Sequence, residues 1–264
     1  PNGQRFLVAH RESRNILEYD AATRAFIREI TVNGAVMDMA LSPDGSRIVT
    51  ANALEDTASV IDYATGATMA EVPVGRVPGI VRFTGDGQRA VVGNTTSSDF
   101  SVISMSTLSE ERRIADGNFS STLSVNPEHG TIGVQYGSFV MAGNTIVHPR
   151  RFQASILVAD AATGASTIIP SVAGPAEAAM RADGQRAFVT HWLSNRTITE
   201  VDVASATIVR TIATPEDLSG PLSVNPDGTR AAVGIQNAAR VWDLTAGTPG
   251  ASITATASVN RFIT

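Results

Sequence analysis

Apolar and polar positions alternate along this chain in a pattern that repeats. From Leu41 to Gly75 the sequence reads LSPDGSRIVTANALEDTASVIDYATGATMAEVPVG. Runs rich in β-branched residues, such as Arg47 to Thr50 and Ala58 to Asp62, are bounded by clusters of turn residues, and such runs read as strands. Pro43-Asp44-Gly45 is a turn: proline presets φ, aspartate caps its own backbone, and glycine accepts a positive φ. The stretch therefore predicts strand, turn, strand, loop, strand, turn, strand. A single four-stranded meander cannot cover both its faces and becomes stable by stacking on copies of itself.

The copies are countable. The turn glycine recurs at Gly3, Gly45, Gly87, Gly130, Gly184 and Gly228, at intervals of 42, 42, 43, 54 and 44 residues. A polar residue closing the third strand follows at Asp20, Asp62, Ser104, Asp160, Asp202 and Asp243, which is 17 residues after the glycine in three units and then 30, 18 and 15. Four strands at a period of roughly 40 to 45 residues is the signature of propeller blades. The expectation is an all-β, six-bladed β-propeller of four-stranded antiparallel blades, a single domain over residues 1–264. The C-terminal Val259 to Thr264 resembles the strand that precedes such a turn, and Pro1-Asn2-Gly3 resembles the turn itself. The last strand is thus expected to complete the first blade and close the ring, which removes an open sheet edge. The fourth unit is the exception, with its extra residues expected as a loop through Gly137 to Gln153.

Composition narrows the chemistry. There is no cysteine, and all 20 basic residues are arginine, so disulfides, thiolate catalysis and lysine Schiff bases are excluded. A net charge of −5 argues against general nucleic-acid binding. No apolar run of 18 residues occurs, so no membrane-spanning helix is expected. Phosphate loops, nucleotide fingerprints and nucleophile elbows are missing.

The succession SPDG, RIVTAN, SVIDYATG and EVPVG, with Pro78 close behind, resembles the YVTN-type β-propeller family along all six units. Members of that family are commonly seven-bladed, against six counted here. The resemblance implies a periplasmic or secreted protein. Related propellers include ligand- or partner-binding scaffolds and lactonase-like enzymes, so the family leaves the activity open.

Candidate chemistry comes from the loops that join second to third strands. Counting five residues from each second strand's start gives His10, Asn52, Asn94, Tyr136, His191 and Ile235. Five of these six are able to hydrogen-bond, and Asp38 and Glu177 start inner strands nearby. Arg11, Arg14, Arg76, His148, Arg150, Arg151 and Arg196 map to the same face, with Trp192 as an aromatic anchor. Guanidinium forks favour carboxylates or phosphates. The plain alternative is that asparagine and histidine simply close the strand-to-loop turns, with Glu12, Glu55, Asp56, Asp99, Glu216 and Asp217 pairing the arginines.

Two functions follow. The favoured one is a monomeric binding scaffold for a protein, glycan or small anionic ligand, using His10, Asp38, Asn52, Arg76, Asn94, Tyr136, Arg150, Arg151 and Trp192. The other is an enzyme of the lactonase, isomerase or lyase kind. There His148 or His191 would be the general base, Glu177 the acid, and Arg150 or Arg151 the clamp on a substrate carboxylate. No cofactor is assigned. A divalent metal on His10 and His191 with Asp38 or Glu177 is conceivable but not favoured, since no short ligand motif exists.

Overall fold

A computed structural model describes residues 3–116, 139–150, 153–172, 174–191, 195–218, 221–235 and 238–254. Every regular element among them is a strand, and no helix is long and apolar enough to cross a membrane. The chain divides into two compact units, Pro1–Tyr136 and Gly137–Thr264.

The first unit contains three antiparallel meanders. The first sheet comprises β1 (Arg5–His10), β2 (Asn15–Asp20) and β3 (Phe26–Thr31). The second comprises β4 (Val36–Leu41), β5 (Arg47–Asn52), β6 (Thr57–Asp62) and β7 (Thr68–Pro73). The third comprises β8 (Pro78–Phe83), β9 (Arg89–Asn94), β10 (Asp99–Ser104) and β11 (Ser109–Ala115). Successive side chains of a strand point to opposite faces, and here both faces are covered. Ile48 and Ile61 pack on Ile16 and Ile30 of the first sheet, while their neighbours Val49 and Val60 pack on Val81 and Val92 of the third. That is why β5 and β6 are buried along nearly their whole length, Thr50 and Ser59 included, rather than at alternate positions.

The second unit repeats the plan. Its fourth sheet in chain order holds β12 (Val140–Ala142), β13 (Thr145–Arg150), β14 (Ser155–Asp160) and β15 (Ser166–Pro170). The fifth holds β16 (Pro175–Met180), β17 (Arg186–His191), β18 (Thr197–Asp202) and β19 (Thr207–Ala213), and the sixth holds β20 (Leu222–Val224), β21 (Arg230–Ile235), β22 (Ala238–Asp243) and β23 (Thr248–Thr254). Val147 and Ile156 pack on Val189 and Val201. Phe188 and Ile198 pack on Val233 and the fully buried Trp242.

Arginines on outer strands clamp neighbouring sheets together. Arg28 on β3 donates from Nε to Glu18 Oε2 at 2.6 Å and from Nη1 to the Ala64 carbonyl at 2.9 Å, with a further bond to the Tyr63 carbonyl. Its guanidinium lies 5.2 Å from the Tyr63 ring centre. In the second unit Arg210 bonds Glu200 at 2.7 Å and the Leu244 carbonyl at 2.5 Å in the same arrangement. A planar fork with five donors suits this shared grip, which an ammonium cannot reproduce.

The fourth sheet departs from the expectation. The segment read as an inserted loop forms β12 and β13, and the turn between them is made at Gly143, with φ of 56°. Gly143 stands 17 residues before Asp160, the spacing of the first three units. The additional residues therefore precede the fourth sheet instead of interrupting it. Gly130, expected as the turn glycine, lies outside the described residues, as does the C-terminal strand expected to complete the first sheet. The φ of Gly143 falls in the left-handed region, which costs an L-residue about 1–2 kcal/mol. Gly143→Ala is expected to lose roughly 1 kcal/mol of stability in urea unfolding, although no atom lies near the added methyl group.

The turn aspartates are structural. Asp44 accepts from Ser42 Oγ at 2.6 Å, Ser46 N at 3.0 Å and Ser46 Oγ at 2.9 Å. These bonds, the Ser42 hydroxyl foremost, hold its carboxyl down at about 2 from an ordinary 3.8. Because the folded value is depressed, the stabilisation is present above about pH 4 and is lost as the pH falls towards 2. Asp44→Asn is expected to flatten the dependence of the unfolding midpoint on pH between 4 and 2, leaving the remaining slope to the other turn aspartates.

Candidate functional site

In five of the six sheets the second strand ends in a polar side chain that is tied to the start of the third strand. Asn52, fully buried, donates from Nδ2 to Ser59 Oγ at 2.7 Å and Thr57 Oγ1 at 3.2 Å, and its Oδ1 accepts from Thr50 Oγ1 at 2.9 Å. Asn94 repeats this with Ser101 Oγ at 2.8 Å and Asp99 Oδ1 at 2.7 Å. His10 Nδ1 lies 3.1 Å from Asn15 Oδ1. His191 Nε2 lies 2.9 Å from Thr199 Oγ1, with the ring fully buried. In the fourth sheet the equivalent position belongs to Arg150, which donates from Nη1 to Ser155 Oγ at 2.9 Å. Tyr136, aligned to this position by sequence, lies outside the described residues. In the sixth sheet the position is Ile235, and its connection is shorter.

These side chains also seat the segment arriving from the preceding sheet. In the first unit Gly75 leaves β7 and passes over Asn94, where a Cβ would lie 2.6 Å from Asn94 Nδ2. The Gly75 amide donates to Ser101 Oγ at 3.2 Å. The inner strands open with a bulge opposite the latch, at Val36/Asp38, Pro78/Ile80 and Pro175/Ala178. Bulges re-aim side chains. Asp38 so placed accepts from the Val81 amide at 3.1 Å and pairs with Arg82 Nη1 at 2.6 Å.

The arginines expected on this side divide into paired and unpaired. Arg14 pairs with Glu55 at 2.9 Å, and Arg196 with Asp217 at 2.9 Å. Arg11 and Arg76 are exposed, and neither guanidinium has a partner among the described residues. Arg76 is held by its main chain: its amide donates to Ser97 Oγ at 2.9 Å and its carbonyl accepts from Thr96 N at 3.1 Å. The next residue, Val77, has φ of 53° and donates its amide to Asp56 Oδ1 at 2.7 Å.

His148 and Glu177 sit in strands. His148, placed on a loop by sequence, is buried within β13 opposite Leu157. Glu177 is half-buried on β16, its amide 3.3 Å from Thr190 Oγ1. Arg151 and Trp192 lie outside the described residues. His10 and Asp38 belong to the first unit, His191 and Glu177 to the second, and among the described residues no group of three His, Asp or Glu side chains is placed to hold a metal ion. The partners that sequence reasoning missed are the hydroxyls Ser59 and Ser101. Each follows its asparagine by seven residues, a spacing that would have announced the latch.

No family model matches the chain, and no curated protein matches it. Solved structures do. Hydrazine synthase from Kuenenia stuttgartiensis superposes with a TM-score of 0.70 at 17% identity, covering 98% of this chain and 85% of that one. A functionally unknown protein from Desulfotomaculum acetoxidans gives a TM-score of 0.71 at 18% identity, covering 94% and 79%. At such identities the likeness concerns the fold alone. With the six antiparallel meanders, it gives this chain a β-propeller fold.

The latch makes a quantitative statement. Asn52→Ala would leave the buried Thr50 hydroxyl without its acceptor and remove the donor to Ser59 Oγ, which keeps its own bond to Glu71, at a cost of about 1–3 kcal/mol. Chemical denaturation of the variant should show that loss, whereas Arg11→Ala, at an exposed and unpaired side chain, should unfold like the wild type.

Proposed function

We propose that this protein is a β-propeller binding scaffold that recognises an anionic group, on a macromolecule or a small ligand, through the end of the blades where second strands meet third strands. The observation that carries the reading is Arg76. Its backbone is fixed by Ser97, Thr96 and the neighbouring Val77–Asp56 bond, while its guanidinium stands exposed and unpaired among the described residues. With the main chain already held, only the side-chain rotamers remain to be ordered when the guanidinium closes on a carboxylate or phosphate, and arginines are common anchors of interfaces.

The reading takes the chain as one six-bladed ring closed by Val259–Thr264 beside the first sheet, monomeric and exported, in keeping with the YVTN-type resemblance. Arg11, Arg151, Tyr136 and Trp192 are the further contributors proposed at that end, while Arg150, buried and bonded to Ser155, acts there as a latch. Asn52 and Asn94 shape it from below as latches. The enzyme alternative asks His148 or His191 to exchange protons with a substrate. Both are buried in strands, and His191 already engages Thr199, an arrangement that favours binding over chemistry.

The test compares the wild type with Arg76→Ala on immobilised panels of acidic glycans and phosphorylated or acidic peptides. The expected result is a ligand class retained by the wild type and bound at least about tenfold more weakly by the variant, with an unchanged melting temperature. Equal binding by the two proteins would overturn the role of Arg76. Turnover of lactones by the wild type, lost in His191→Gln, would replace the scaffold with the enzyme.

A further inference from the structure

The opposite strand ends of the first unit carry a second feature, which arises from one break in the repeat. Five of the six second strands begin with arginine: Arg5, Arg47, Arg89, Arg186 and Arg230. Each stands in register with the residue that closes the third strand of its own sheet. In four sheets that residue is an aspartate. Arg5 and Asp20 lie 3.8 Å apart, and Arg186 bonds Asp202 directly. In the third sheet it is Ser104, so Arg89 faces a hydroxyl and turns to Glu111 instead, at 2.7 Å.

A cleft of about 390 Å³ opens at this place, between the second and third sheets, lined by Ser46, Arg47, Arg89, Ser104, Ser106 and Glu111 among others. Arg47 reaches across it, donating from Nη1 to the Met105 carbonyl. Its Nε and Nη2 make no hydrogen bond to any described residue. The nearby carboxylates are already engaged. Asp44 is held by Ser42 and Ser46, Asp62 by Thr65, and Glu111 by Arg89 and Arg112. The Ser104 and Ser106 hydroxyls lie 2.9 Å apart and supply further donors. What the cleft presents is therefore the unbonded edge of Arg47 and the Ser104–Ser106 hydroxyls, beside the carboxylates of Asp44 and Glu111 whose own bonds are already made, at the spot where sister sheets place a carboxylate.

We propose that this cleft binds a small carboxylate, whose oxygens take the position of the aspartate that Ser104 replaces and bond the free edge of Arg47. Its volume lies within the range of small-molecule sites, and a guanidinium fork matches a carboxylate in two bonds. The site is independent of Arg76 and of the reading proposed for the loop end.

The test titrates the full chain with malonate, acetate and inorganic phosphate against chloride at matched ionic strength, following heat of binding and melting temperature. Malonate or acetate should bind saturably to the wild type. Ser104→Asp should abolish that binding, because it restores the internal carboxylate of the sister sheets and leaves the fold intact. Arg47→Gln should weaken it at least about tenfold. Should Arg47→Gln fail to fold, Ser104→Asp alone decides. Carboxylates acting no more strongly than chloride, equal responses of wild type and Ser104→Asp, or binding of phosphate alone would each overturn the proposal.

Discussion

Burial of both faces of the middle sheet of each unit by its two neighbours is the constraint on which this structure depends. Ile48 and Val49 are adjacent in sequence and fully buried, yet they belong to different cores, one shared with the first sheet and one with the third. Neither core exists unless the adjacent meander is present and in register. A four-stranded sheet of this kind has no stable life alone, so stability approximates a sum over sheets and seams, as in other repeat folds. The polar apparatus serves the same end. The grips of Arg28 and Arg210 on a neighbouring turn fix how far one sheet rotates against the next, which apolar packing alone does not specify.

Much of this was legible in the sequence because the turns are chemically explicit. Glycine needs its positive φ, and the aspartate, or in one sheet the serine, that ends each third strand must cap the turn that follows. These demands recur at the same spacing whatever the strands contain. The fourth unit shows how such reading fails. Pro127-Glu128-His129-Gly130 has the composition of the turn and hides the plainer Gly143-Asn144. Turn chemistry is local and does not say which of two candidate turns belongs to a given sheet. The distance to the next landmark, 17 residues from Gly143 to Asp160, is set by the length of two strands and is the more reliable guide.

The candidate site was less legible, for a reason of burial. Asn52, Asn94 and His191 looked like residues facing a ligand because they end strands beside polar loops. Whether such a side chain points outward depends on the segment that arrives from the previous sheet. Gly75 passes so close to Asn94 that the amide is sealed beneath it, and nothing in the local sequence around Asn94 announces that approach. Arg76, one residue further, gains its exposure from the same crossing.

Function in a repeat fold is best sought where one copy departs from the others at a position whose role the copies define. Ser104 among aspartates and Arg150 among asparagines and histidines are such departures, and they differ in kind. Arg150 still bonds Ser155 at the start of its third strand, so the latch survives the change of side chain. Ser104 keeps its turn through weaker hydroxyl bonds, at 3.3 Å and 3.4 Å to the Ser106 and Thr107 amides, but it cannot return a negative charge to the arginines beside it. Arg89 recovers a carboxylate from Glu111, and the change leaves the unbonded edge of Arg47 inside a shaped cleft with no carboxylate at the Ser104 position opposite it. Such an edge is answered by a ligand more readily than by further packing.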